Sequence, residues 1–372
     1  MPPCFQLAHA SHPQLDTLLD TCAQQLMPPF EQSLGFIYIT DDLHDQFPHI
    51  LNYLKEHTGI SKWVGTVGMG IIGGDREYYE EPAMAIMLAD IDEKEFALLP
   101  ALNNTLLPFI TDLEPWCSDN KVATGILHAD PNNTAIQSLL SALTQRTSST
   151  NFIGGLSSSR GLYPQVSDEL TSGGMSGILF SDKVPVITSL SQGCAAITQA
   201  YTVTQSERNL LVSLNNEPAL DIFKSAIGEV LSRNLKRAAG YIFAGIVDDP
   251  DKPDDYKVRN IIGADEEHKL LALGDIINKE HQVLFCRRDG NTAQQDMQRM
   301  LDNLKQQLTA TPRGGVYISC MGRGKNQFGD NSEEVAMIKN TLGEFPLVGF
   351  YANGEIYHDN IYAFTGVLML FV

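Results

Sequence analysis

Two stretches near the end of the chain decide the reading: Gly314-Gly-Val-Tyr-Ile-Ser-Cys-Met-Gly-Arg-Gly324 and Pro346-Leu-Val-Gly-Phe-Tyr-Ala-Asn-Gly-Glu-Ile356. In each, a short apolar strand runs into a glycine-rich polar turn. Between them Val335, Ile338 and Leu342 recur at helical spacing. Strand, crossover helix and strand make a βαβ unit, whose strands are parallel. Both turns then open on one sheet edge, where open α/β sheets take ligands. Cys320, Arg323, Asn353 and Glu355 are the candidate ligand-binding residues there. A guanidinium can hold a carboxylate bidentately, while an amide and a carboxylate suit an ammonium. The set points to an amino-acid-like or carboxylate metabolite. The structural alternative is that Cys320 packs at a strand end and Arg323 pairs with Glu355 or an aspartate.

The same pattern occurs twice more. Gly35-Phe-Ile-Tyr-Ile-Thr40 leads through Asp41-Asp42 and a helix bearing Phe47, Ile50, Leu51 and Leu54 to Trp63-Val-Gly-Thr-Val-Gly-Met-Gly70. Gly125-Ile-Leu-His-Ala-Asp130 leads through a helix bearing Ile136, Leu139, Leu140 and Leu143 to Phe152-Ile-Gly-Gly-Leu-Ser-Ser158. The last turn, with Ser157, Ser158, Ser159 and Arg160, offers backbone N–H groups to an anion or simply closes a strand. Ser157 and Ser158 join the candidate set.

Short runs between these units read as antiparallel strands: Ala83–Ala89, Gly177–Phe180, Val184–Leu190, Ala196–Thr204, Tyr241–Val247, Lys257–Gly263 and His281–Phe285. Ser181-Asp-Lys183 reads as a hairpin turn. The final run, Ile361–Val372, is apolar on both faces and predicts a central strand. Helices are expected over Pro13–Leu26, Pro218–Leu235 and Asn291–Leu308, with His9 and His12 in an N-terminal tail. Asp248–Asp255 reads as a solvated loop. The fold class is α+β: two lobes of mixed β-sheets covered by helices, with repeated βαβ units and an α-β-β-α layering as the expected packing.

The 372 residues are 43% apolar and carry 26 basic against 45 acidic side chains, a net charge of −19. That field repels phosphate backbones and anionic lipids, so nucleic acid is not an expected partner. No stretch approaches the roughly 20 apolar residues of a membrane span, and no basic, apolar leader opens the chain. The expectation is a cytoplasmic protein without membrane insertion, its six scattered cysteines reduced.

Gly68-x-Gly70-x-x-Gly73 has dinucleotide spacing, but residues 75–82 lack an amphipathic helix, so that reading is rejected. The nine histidines form no zinc motif. A single axial histidine for haem leaves no local signature, so the residues neither name haem nor exclude it. Cys320, His358 and Glu355 also admit a cysteine-dependent hydrolase as a minor alternative.

Ile153-Gly-Gly-Leu-Ser-Ser158, Gln192-Gly-Cys194 with Val203-Thr204, Pro218-Ala-Leu220, Cys320-x-x-Arg-Gly324, Glu334, Pro346-Leu-Val-Gly-Phe350 and Gly354-Glu-Ile356 together resemble the FIST (F-box and intracellular signal transduction) sensory family. The resemblance implies an N-terminal domain over residues 30–216 and a C-terminal domain over 217–372. It also implies a non-enzymatic intracellular sensor of small ligands that signals through a separate protein. Some stand-alone members resemble haem-based nitric-oxide sensors acting on a partner histidine kinase, which is the alternative reading.

Overall fold

The computed structural model describes residues 5–149, 151–232, 235–238, 241–247 and 256–372. The Asp248–Asp255 loop lies outside them. The chain forms two compact units: Met1–Ser191 with Met297–Ile361 and Thr365–Val372, and Gln192–Asp296 with Tyr362–Phe364.

All three βαβ units lie in the first compact unit, and each has the expected parallel pair. Leu34–Thr40 runs beside Lys62–Gly68, Val122–Ala129 beside Phe152–Leu156, and Gly314–Cys320 beside Leu347–Ala352. Each pair anchors its own sheet. In the first sheet the order is Phe5–Ser11, Ala83–Ala89, Leu34–Thr40, Lys62–Gly68. In the second, Phe152–Leu156 and Val122–Ala129 are followed by Met175–Ser181 and Phe96–Leu102. In the third, Thr365–Phe371 lies inside the sheet next to Gly314–Cys320, as its two apolar faces require.

One apolar core is shared by the three sheets. Phe36 and Tyr38 enter it from the first, Ile126 and Ile153 from the second, Val316, Ile318, Val348 and Phe350 from the third. The alternate residues of each strand face outward under helices. Helices Leu15–Ala23 and Phe47–Thr58 cover Ile37, Ile39, Met84 and Ile86. Helix Ile136–Thr147 covers Leu127 and Leu179. Helices thus cover the outer faces of the first and second sheets, whose inner faces meet the shared core. The second compact unit is an antiparallel sheet whose Val203, Ile242, Ile246 and Phe285 pack on Leu220 and Phe223 of the helix Ala219–Ser232.

Three expectations are corrected. Phe5–Ser11 is a strand paired with Ala83–Ala89, so His9 is not in a tail. Ser181-Asp-Lys183 joins no hairpin: Met175–Ser181 is paired on both sides, and Val186–Gln192 goes to the third sheet. The Lys257–Gly263 run breaks into Tyr256–Arg259 and Ile261–Asp265. The dinucleotide reading fails as expected, because Arg76–Tyr79 is a strand that pairs with Gly70–Gly73. Among the described residues no helix is long and apolar enough to cross a membrane.

A constraint recurs in every βαβ unit. Gly65 lies opposite Ile37, Gly154 opposite Leu127, and Gly349 opposite Tyr317. A Cβ at these positions would lie 1.7, 1.8 and 1.7 Å from the carbonyl oxygen across the pair. The backbone there aims its Cα substituent into the sheet plane, so only hydrogen fits. Gly349→Ala is expected to cost about 3 kcal/mol or more of unfolding free energy. Urea denaturation of a still-folded variant checks it; a loss under about 1 kcal/mol would show that the strands can part cheaply.

Candidate functional site

The C-terminal turns do open on one edge, since Cys320 lies level with Ala352 in parallel register. The edge is filled, however. Arg323 is fully buried, and its Nε donates to Glu334 Oε1 at 2.8 Å. The same carboxylate accepts from Tyr317 OH at 2.7 Å, from Ser319 Oγ at 3.0 Å and from the Gly324 N–H at 2.8 Å. Ser191 supplies oxygens 3.4 Å from the guanidinium, and the Phe328 ring lies 4.9 Å from it. Burial, the largest single influence, would pull the Arg323 pKa down; the Glu334 charge together with the Glu334 and Tyr317 interactions outweighs it and holds the group cationic. Gly324 is at φ +51°, and a Cβ there would strike the Tyr79 hydroxyl. The partner of Arg323 is thus Glu334, not Glu355 or an aspartate.

Of the other candidate residues, Glu355, Ser157 and Ser158 have hydrogen-bond partners of their own. Cys320 is buried beside Glu355, whose Oε2 accepts from the Thr365 N–H at 3.0 Å and hydroxyl at 2.8 Å. The Cys320 thiol faces the Glu355 carboxyl and favours its charged form. Burial wins, pushing the Glu355 pKa up to about 7. The neighbour of the Cys320 thiol is thus a carboxyl group, and the His358 ring packs edge-on against Tyr357. Asn353 is exposed. Ser157 Oγ meets Thr66 Oγ1 at 2.6 Å, and Ser158 Oγ accepts from the Met69 N–H while donating to the Tyr351 carbonyl. Both serines are buried fasteners between strand ends. The anion held by the next turn is internal: Arg160 N, Nε and a terminal nitrogen all donate to Asp41, at 2.8, 2.8 and 2.7 Å.

Sequence reasoning did not include Glu77 in this network. It comes from the Arg76–Tyr79 strand, accepts from the Val335 N–H at 3.1 Å and from Tyr79 OH at 2.7 Å, and so fastens the start of helix Glu333–Leu342. Burial, then repulsion from Glu334, pushes its pKa up to about 7.

The open space lies at the other strand ends. A cleft of about 490 Å³ is lined by His44 and Asp45 beyond the first parallel pair, and by Asp130 and Asn132 beyond the second. Gly161–Pro164 and Leu170–Gly173 complete it. Its walls are fixed by hydrogen bonds. His44 Nδ1 lies 2.7 Å from the Asp41 carbonyl. Asp130 Oδ1 accepts from the Asn132 N–H at 2.8 Å, Asn133 donates to the Asn103 and Gly173 carbonyls, and Thr66 donates to that of Pro164 at 3.0 Å. Two carboxylates, an imidazole, an amide and the Tyr163 phenol face a space with no lysine or arginine among the described residues of its lining. The signal for this site was the aspartate that ends the first strand of the first two units, Asp41 and Asp130.

Neither histidine at these strand ends suits haem. His128 is fully buried, with Nε2 3.1 Å from Tyr38 OH and its ring packed against Tyr38 and Phe350. Burial pushes its pKa down to about 3. His44 opens on a cleft whose carboxylates repel haem propionates. Among the described residues no group of three His, Cys, Asp or Glu could hold a metal.

Arg323→Ala leaves Glu334 buried without its counter-ion and is expected to cost about 3–5 kcal/mol of stability, measured by chemical denaturation; an unperturbed midpoint would mean the pair contributes nothing. The raised Glu77 pKa stabilises the fold below about pH 4.5, the unfolded value, and this is lost as pH rises through 7. Relative to Glu77→Gln, the wild type should lose about 3 kcal/mol across that window. Taking the difference cancels Glu355, which acts in the same direction, and His128, whose lowered pKa acts with the opposite sign. A pH-independent difference would count against a protonated Glu77.

The FIST N domain matches residues 33–217 and the FIST C domain residues 219–358. An uncharacterised protein of Mycobacterium tuberculosis is 27% identical over 354 residues, covering 88% of each chain. One of Mycobacterium bovis is 27% identical over 333 residues, covering 83% of this chain and 82% of its own. FIST domains are sensory signal-transduction domains rather than catalytic ones. The chain belongs to the FIST family and carries both its N and its C domain.

Proposed function

We propose that this FIST protein is a sensor whose ligand, a small metabolite bearing an ammonium group, occupies the cleft at the carboxyl ends of the first two parallel strand pairs. The observation that supports this reading is the cleft itself: about 490 Å³, the size of a small-molecule site, with Asp45 and Asp130 and no lysine or arginine among the described residues of its lining. That lining favours the ammonium half of an amino-acid-like ligand over its carboxylate. Leu162, Leu170 and the two prolines Pro48 and Pro164 offer apolar surface for its body. The net charge of −19 adds a long-range attraction for cations. Arg323, Cys320 and Glu355 then act as framework beneath the sheet edges, and ligand occupancy is passed to a separate signalling protein, the role that sensory FIST domains imply.

Calorimetric titration with amino acids, simple amines and the matching des-amino carboxylates tests the site. The amino compounds should bind and the carboxylates should not. Asp130→Asn, which keeps the acceptor for Asn132, should weaken binding about tenfold. Unchanged affinity in folded Asp130→Asn and Tyr163→Ala variants would remove the ligand from this cleft.

A further inference from the structure

A second cavity, of about 390 Å³, lies in the first compact unit at the far end of helix Glu333–Leu342 from Glu334. Its floor is apolar: Leu7, Ile338, Phe345 and Leu347. Its rim is polar and mostly anionic. Lys339 Nζ lies 3.2 Å from Asp75 Oδ2 and 3.1 Å from Glu344 Oε1, so one ammonium sits between two carboxylates. The helix ends at Gly343, which places the negative end of its dipole at the same rim. His9 contributes no charge: burial lowers its pKa, its Nδ1 lies 2.7 Å from Tyr78 OH, and its Nε2 faces Gly74 in the cavity wall.

We propose that this cavity is a second ligand site, selective for a small primary amine with a compact apolar or aromatic body. Lys339 marks the ammonium position. Its side chain is 37% exposed and flexible, so it can swing into solvent and leave the two carboxylates to an incoming amine, whose hydrocarbon body covers the floor. An anion of the same shape would meet two carboxylates and a helix C-terminus. The site shares the Gly70–Tyr79 hairpin and the Glu333–Leu342 helix with the buried Glu77–Glu334 cluster, so occupancy bears on the element that organises the C-terminal strand edge.

Phenethylamine and 3-phenylpropionate, near-isosteric and opposite in charge, are the probes, with binding followed by ligand-observed NMR and calorimetry. Wild-type protein should bind the amine and not the acid. Lys339→Met removes the internal competitor and should tighten amine binding about fivefold, while Asp75→Asn with Glu344→Gln should weaken it about fivefold. Measured in an Asp130→Asn background, which weakens the first cleft, amine binding and its dependence on Lys339 should persist. Equal binding of the acid, no amine binding to folded Lys339→Met, or binding lost in Asp130→Asn alone would each overturn the assignment; the last would place the amine in the first cleft instead.

Discussion

The carboxylate of Glu334 organises the C-terminal half of the first compact unit. Fully buried, it accepts from a phenol, a hydroxyl, a guanidinium and a backbone N–H. Burying an ion pair is costly unless the remaining lone pairs and protons find partners, and here they do. The donors come from strand Gly314–Cys320 and the turn after it, the acceptor from helix Glu333–Leu342. One group therefore closes the βαβ unit on itself and seals the strand edge. Arg323, which looked like a ligand clamp, is consumed in the closure.

Glu334 and Glu355 are buried near the Arg323 guanidinium, and Glu77 is buried near Glu334. Three carboxylates cannot all stay ionised beside one cation in a medium of low polarity. The two without a direct bond to Arg323 are those pushed up to about 7. They hold the helix start and the Thr365 backbone, so protonation and local structure are linked at this edge.

The three βαβ units share one device, a glycine facing a carbonyl across the parallel pair, and then diverge in the turns beyond their strands. After the third, the turn folds inward onto Glu334. In the first, Asp41 is taken up by Arg160, and after the second Asp130, largely buried, lines an open cleft. The same frame thus carries one sealed edge and one open one. A sensor needs both, a rigid part to position the site and an accessible part to be filled.

The sequence by itself determined the βαβ units, because apolar residues at spacings of two and of three and four write strand and helix directly. It placed the Ile361–Val372 run inside a sheet, which holds for Thr365–Phe371 while Asn360–Tyr362 joins another, and it identified the family through its turn motifs. It did not determine which sheet each strand joins. Met175–Ser181 and Val186–Gln192 are separated by a turn-sized gap, yet pair apart because both edges of the first are taken by strands distant in sequence. Nor could it say whether a polar side chain after a strand faces solvent or core. Arg323 and Asp130 both follow the first strand of their units; one meets Glu334, eleven residues on in helix Glu333–Leu342, and the other lines a cleft. Partner and exposure are set by long-range packing, and only the tertiary structure contains it.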